Sequence, residues 1–390
     1  MNRKINNTWH EPVLHWVERR AQYLGMPGSL DWVVRDPVVG CLAPILFIMH
    51  REQRVTLSES ARELTAQLYY RNKARWIQRG HRLVKYIRTL QQAGIQVIPL
   101  KGAILADQLY HDSGLRTMCD IDILVRPGDF LPAARLLLQS GLRISPDDSF
   151  GDLTLLERLP VPYRPGEIGF SDGQGLLIEL HQNLITYPWF LPAYPLDIAA
   201  VWGRSLEKTD KGQAYHTPDE SIWQRFLSPY DTLVHLCLHL TLHGLQAMQT
   251  YLDVDLWIRN LPASWDWAEF IKLINKWQIR SATYHVLSFC REFMLTPLPE
   301  NLLQQLDPGR LARWRVSLLI SSEVLLANQS SPGKRYPTLV KLALIDRLPR
   351  LFWTLLKLAF PSQAWFNSNP QKRNRITHWL HVWQVLKRGD

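Results

Sequence analysis

The stretch Val97–Val125, VIPLKGAILADQLYHDSGLRTMCDIDILV, constrains this chain more than any other. Ile95–Leu100 is mostly apolar with β-branched residues, and predicts a strand. It runs into Lys101-Gly102-Ala103, a turn whose small residues let a ligand approach the backbone. Ile104–Tyr110 predicts a short helix, and Cys119–Val125 then alternates strictly. Side chains two apart on a strand share a face, so Asp120 and Asp122 point one way while Ile121, Ile123 and Val125 point into the core. Two carboxylates held that close repel each other unless a cation lies between them, and a hard divalent metal is the economical choice. Phosphates are the usual third party to such a metal, received by a glycine turn at a helix N-terminus. If repulsion is all the pair feels, Asp122→Asn should leave the metal-free fold as stable as before or more so.

Composition narrows the class. A chain of 390 residues holds two or three domains with ample core. The four cysteines, Cys41, Cys119, Cys237 and Cys290, are scattered without a C-x-x-C pair, which excludes a zinc knuckle and a disulfide framework and fits a reduced, cytoplasmic setting. MNRKINNTWHEP lacks the apolar core of a signal peptide. The longest apolar run, Val38–Met49, is too short to span a bilayer and contains Pro44. The 16 tryptophans predict aromatic packing between helices. The net charge of +10 is concentrated: residues 332–390 carry eleven Lys/Arg against two acids, so the rest of the chain is close to neutral.

The chain divides into an N-terminal helical segment (1–91), a core (92–204) and a C-terminal helical domain with a basic tail (205–390). Trp9–Leu24 is amphipathic, and Gly25–Pro27 ends it. Thr56-Leu57-Ser58-Glu59 matches a capping box and opens a helical stretch to about Gln92, with a break expected at Gly80. Pro127-Gly128-Asp129 starts a helix over Phe130–Ser140 with Gly141 as its C-cap. Residues 144–163 read as loop. Gly166–Phe170 and Gly175–Leu184 flank Asp172-Gly173, a hairpin turn signal. In the second arm, Glu179 and His181 share a face. Alone, that carboxylate fits the solvated side of an edge strand; with Asp120 and Asp122 it supplies the third acid of a two-metal phosphoryl-transfer site. From about Ser205 the pattern is helical. Ser228-Pro229-Tyr230-Asp231 starts a helix bearing His235, His239 and His243, closed by Gly244, and a second helix carries Tyr251, Asp253 and Asp255.

The ordered set of a Gly-small turn, a helix, Asp120-x-Asp122 and Glu179 on a later strand resembles the nucleotidyltransferase fold. More closely, K-G, L-Y, G-x-R, D-I-D-I-L-V, I-E-L-H-x-x-L and LVHLCLHLTLHGLQAMQTYLDVDLWI are similar to a bacterial family known as uncharacterised nucleotidyltransferases, over roughly residues 60–260. The resemblance implies an α+β fold: a nucleotidyltransferase-like core with a mixed β-sheet, flanked by N-terminal helices and a C-terminal helical domain. It implies transfer of an NMP group from an NTP to a hydroxyl of an unknown small-molecule or protein acceptor, with pyrophosphate leaving. Asp120, Asp122 and Glu179 would hold Mg²⁺ or Mn²⁺, and Lys101, Gly102, Ala103 and Arg116 would bind the nucleotide. The other reading of Lys101 and Arg116 is a salt bridge to those acids, and it suits Arg116 better than Lys101, which sits in the turn. The turn departs from the wider fold, since Lys-Gly-Ala has no serine hydroxyl for a phosphate, and eighteen positions separate Gly102 from Asp120.

Two rivals remain, one another enzyme and one of a different class. A D-x-D glycosyltransferase would open with a longer nucleotide-binding unit, whereas helices come first here. A catalytically silent nucleotide-binding or antitoxin-like module of the same fold fits the altered turn. His181, His235, His239 and Asp253 are candidates for the acceptor side or for a polar network behind it. The three histidines spaced by four lie on one stripe about 12 Å long, too long for all to reach one small ligand. The basic segment Leu339–Phe360 is amphipathic, and reads either as a packed helix with a solvated basic face or as a peripheral contact with an anionic membrane. Lys372, Arg373 and Arg375 near Trp379 and Trp383 are a weak nucleic-acid signal.

Overall fold

A computed structural model describes residues 9–26, 28–36, 38–146, 153–159, 164–187, 190–207, 222–327, 337–360 and 379. It is a mixed α+β structure. The first helices are α1 (His10–Leu24), α2 (Ala43–Arg51) and α3 (Glu59–Gln92). The cap of α3 is Ser58, whose hydroxyl accepts from the Ala61 N–H. Gly80 does not break this helix; it is a buried position within it.

The core follows as β1 (Ile98–Pro99), α4 (Gly102–Gln108), β2 (Ile121–Leu124), α5 (Phe130–Gln139), β3 (Arg143–Ile144), α6 (Leu153–Arg158), β4 (Glu167–Ser171), β5 (Leu177–His181) and α7 (Ile198–Arg204). The five strands form one sheet in the order β1-β2-β5-β4-β3. All pairings are antiparallel except β2 with β5, which is parallel. β1 is shorter than its sequence pattern because Pro99 has no N–H for a ladder, although Leu100 N–H still reaches Asp122 O at 2.9 Å. Residues 144–163 are not all loop: α6 buries Leu156. The hairpin turn is built by Asp172, whose Oδ1 accepts from the Gln174 and Leu176 N–H groups, with Gly173 at φ 71°.

Beyond Ser205 the chain is not purely helical. β6 (Leu206–Glu207) pairs antiparallel with β7 (Arg225–Phe226) before α8 (Pro229–Leu242) and α9 (Met248–Arg259). Then come α10 (Trp267–Trp277), α11 (Arg280–Met294), α12 (Leu302–Leu306), α13 (Arg310–Ser317), α14 (Ser322–Ala327), α15 (Pro337–Ala343) and α16 (Leu348–Ala359). The amphipathic stretch Leu339–Phe360 is thus two helices, the second opening at Leu348 with Pro349 in its first turn. Trp16 stacks on Phe293 at 5.5 Å between α1 and α11, and Trp202, Trp223 and Trp277 are fully buried, so tryptophans do fill the gaps between helices. Lys372, Arg373, Arg375 and Trp383 lie outside the described residues.

Helix α3 sets the loop ahead of β2. Tyr69 Oη donates to Asp112 at 2.6 Å, Asn72 Nδ2 to Gly114 O at 3.3 Å, and Arg79 Nη1 to Met118 O at 2.8 Å. Arg79 and Arg82 also reach the hairpin turn, at Gly175 O and Asp172. One long helix therefore holds both segments that bear the acids.

Candidate active site

The parallel pairing of β2 and β5 puts Asp122 directly opposite Glu179. The hairpin puts Gly169 on the other side of Glu179, and Glu167 opposite His181. Asp122, Glu167 and Glu179 open into a cleft of about 420 Å³ that Lys101 and Asp120 also line, while His181 is buried and does not line it. Asp122, Glu179 and His181 each offer one ligand atom within 4.8 Å of the others. Asp120 lines the cleft but is not in that group. β2 begins only at Ile121, so Asp120 stands just ahead of the ladder that fixes Asp122.

Two cations of the protein already stand among the four carboxylates of the site. Lys101 Nζ lies 2.6 Å from Asp122 Oδ1 and 4.0 Å from Glu179. His181 Nε2 lies 2.9 Å from the same Oδ1, and its Nδ1 is 3.3 Å from Glu167. Burial opposes the Lys101 ammonium, but Asp122 and Glu179 outweigh it and hold its pKa above the usual value. For His181, burial likewise loses to Glu167 and Asp122, and the imidazolium is held to about 10. Burial would raise Asp122, yet Lys101 and His181 pull it well below the carboxylate range. Asp120, Glu167 and Glu179 move upward, chiefly through burial, with Asp122 adding repulsion to each. One acid is therefore firmly ionised beside three that hold a proton more readily.

The donor set suits a hard divalent ion at Asp122 and Glu179. Lys101 and His181 both approach Asp122 at Oδ1. Two carboxylates on adjacent strands, with a third at the lip, match the oxygen preference of such ions. His181, as an imidazolium, orients Asp122 and becomes a ligand only on losing its proton.

The turn has its own geometry. Lys101 takes φ 41°, a left-handed conformation that costs a non-glycine residue strain and that recurs at functional sites. A Cβ on Gly102 would collide with Arg116 Nη1 and Met118 Sδ, which is why glycine stands there. Ala103 does not line the cleft as expected: it is buried, and its N–H is taken by Leu100 O at 3.1 Å. Arg116 does not pair with the cleft acids. Its Nε and Nη2 make a two-point contact with Asp253 on α9, at 3.0 and 2.7 Å, and Nη1 lies over Gly102. Tyr110 Oη donates to the same Asp253 at 2.8 Å. Asp253 thus ties α9 to the turn, and is not a partner of the histidines.

The far wall is α8 and α9, through His239, Leu242, His243, Met248, Gln249 and Thr250. His239 and His243 rings meet edge to face at 4.4 Å. Burial and the nearby Lys101 hold His239 well below its usual pKa, so it is neutral. His235 lies behind the cleft, not in it. It is buried, neither ring nitrogen has a hydrogen-bond partner among the described residues, and burial lowers its pKa to about 3. Glu167 and Tyr187 were not singled out in the sequence. Counting back from the Asp172-Gly173 turn would have set Glu167 opposite His181. Tyr187 is brought to the lip because Gly166 carries no side chain: a Cβ there would strike the Ile185 carbonyl, and Gly166 N–H bonds Thr186 O at 2.8 Å.

A family model described as uncharacterised nucleotidyltransferase matches residues 40–295. No curated protein and no solved structure matches the chain. The match spans more than half of the 390 residues and includes both strands that carry the acids, so this chain belongs to that nucleotidyltransferase family.

Proposed function

We propose that the chain transfers an NMP group from an NTP to a hydroxyl of a small-molecule or protein acceptor, releasing pyrophosphate, with Mg²⁺ or Mn²⁺ as cofactor. The observation that carries this reading is the register of β2 on β5, which faces Asp122 with Glu179 across one cleft at a glycine turn. Asp122 and Glu179 would hold the metal, with Asp120 completing the set from the lip. Bound divalent ions would stabilise charge on the phosphates and make the acceptor hydroxyl more acidic.

The chain's own residues supply the rest. The Lys101 ammonium, strained into the cleft and nearly fixed in its charge, is within reach of phosphate oxygens. Arg116 has two donors committed to Asp253, and only Nη1 faces the turn; it acts mainly by fixing Gly102 against α9. Glu179, whose pKa lies above the ordinary carboxylate value, suits the acceptor proton. As the acceptor oxygen bonds the α-phosphorus, the bond to the bridging α–β oxygen breaks and its electron pair leaves with pyrophosphate. His239 and His243, on the wall across the cleft, face the acceptor.

A silent binding module is the second reading, favoured by one observation: Lys101 and His181 already neutralise Asp122 without a metal. Incubating the full chain with each labelled NTP, Mg²⁺ or Mn²⁺ and a cell extract separates the two. Transfer of label that is lost in Glu179→Gln supports the enzyme. Metal-independent NTP binding with no transfer supports the module, and no binding of any NTP overturns both.

A further inference from the structure

Among the described residues, helix α16 packs on the body through Arg350, Leu351 and Thr354. Arg350 Nη1 donates to Pro192 O at 2.6 Å, and Thr354 is buried while Leu351 packs partly against the core. The opposite side is apolar and open. Leu348 is 52% exposed, Phe352 62%, Trp353 56% and Leu355 42%. Leu348, Phe352 and Leu355 follow the four-three spacing of a single helical stripe. Phe360 just beyond the helix and Trp379 extend it, with ring centroids 5.6 Å apart and both rings exposed. The exposed face of this helix thus carries an apolar stripe with Arg347 and Lys357 beside it.

We infer that this face lies on an anionic lipid surface, with α16 parallel to the membrane plane. Three observations select that occupant. Arg347 and Lys357 are exposed beside the stripe, in a region (332–390) with nine more basic than acidic residues. That excess is complementary to anionic headgroups. Exposed Trp and Phe are the side chains that settle at the boundary between headgroups and acyl chains. No helix among the described residues is long and apolar enough to cross a membrane, so the contact is one of lying on the surface. A second copy of this chain fits less well. A two-fold contact would face the patch with itself and bring two basic regions together.

The test is co-sedimentation of the full chain with vesicles of phosphatidylcholine, with and without phosphatidylglycerol. Binding should need phosphatidylglycerol, weaken as salt rises, and fall about tenfold in Phe352→Asp/Leu355→Asp. Both residues are exposed, so the melting midpoint of that variant should match the parent. Arg347→Glu/Lys357→Glu should weaken binding while leaving the apolar stripe intact. No binding to anionic vesicles overturns the proposal, as does equal binding by parent and variant. A parent that dimerises in solution, ignores vesicles, and becomes monomeric in Phe352→Asp/Leu355→Asp would assign the face to a second copy instead.

Discussion

Asp122→Asn tests the electrostatics of the site most directly, because two lines of reasoning give it opposite signs. From the Asp120-x-Asp122 spacing alone, removing one charge relieves repulsion and the metal-free protein should hold or gain stability. The structure reverses that expectation. Asp122 is 2% exposed, and both a lysine ammonium and an imidazolium rest on its Oδ1, at 2.6 and 2.9 Å. Neutralising it strands two buried cations. Breaking a buried ion pair from one side costs about 3–5 kcal/mol. The lower end applies here, since His181 can release its proton once its partner is gone. A loss of about 3 kcal/mol lowers the melting midpoint by roughly 6–12 °C on the scale of a 150–250-residue domain, and by less in a longer chain. Thermal denaturation in EDTA at neutral pH measures it. The same substitution in a Lys101→Met background should cost markedly less, because the stranded lysine is then absent. An unchanged or raised midpoint, or equal costs in the two backgrounds, would show that repulsion between the aspartates outweighs the cations.

Four further outcomes are expected. The folded-state pKa of His181 is raised to about 10, so its stabilising contribution is complete below the unfolded value near 6.5 and lost as pH rises through about 10. The difference in melting midpoint between the parent and His181→Gln, both in EDTA, should therefore shrink steadily across that window; a constant gap refutes the assignment. Gly102→Ala should cost about 1–3 kcal/mol, since its Cβ meets Arg116 and Met118, and should reduce nucleotide transfer; unaltered stability and transfer would mean the turn opens freely. Asp253→Asn leaves Arg116 buried with a neutral partner and should cost about 3 kcal/mol by denaturant titration, whereas a cost below about 0.5 kcal/mol would place that pair on the footing of a surface contact. His239→Gln should raise the KM for acceptor while leaving the Kd for NTP unchanged, and an equal loss of both would make α8 a support rather than a wall.

What the sequence disclosed about the site follows the range of each interaction. Strand parity and a turn signal are local, and they suffice to bring Asp122, Glu179 and His181 to one side of the sheet. The hairpin arithmetic was equally local, and Glu167 could have been read from it. The partners of Lys101 and Arg116 were of another kind. Both residues are cations near acids in sequence, and proximity along the chain suggested the same acids for both. In the fold, Lys101 turns into the cleft at positive φ, whereas Arg116 turns away to an aspartate 137 residues on, beneath a helix from the C-terminal half. Only the packing of α9 against the turn decides that, and no periodicity records it. The short β6–β7 pair escaped notice for the same reason: two residues per strand carry too little alternation to register.

The histidine stripe shows how burial then sorts residues of one type into different tasks. His235, His239 and His243 share a spacing that puts them on one stripe, too long for all three to reach one ligand. In the fold the second and third histidines line the cleft while the first is enclosed. Enclosure next to Lys101 keeps His235 neutral far below physiological pH. His181 is as deeply buried, yet three carboxylates stand within 4 Å of its ring nitrogens and hold it charged. The same desolvation acts on both rings; the acids that β2, β4 and β5 bring together decide which ring keeps its proton. That is also why the cleft floor, and not the histidine helix, is where a substitution will register first in both stability and activity.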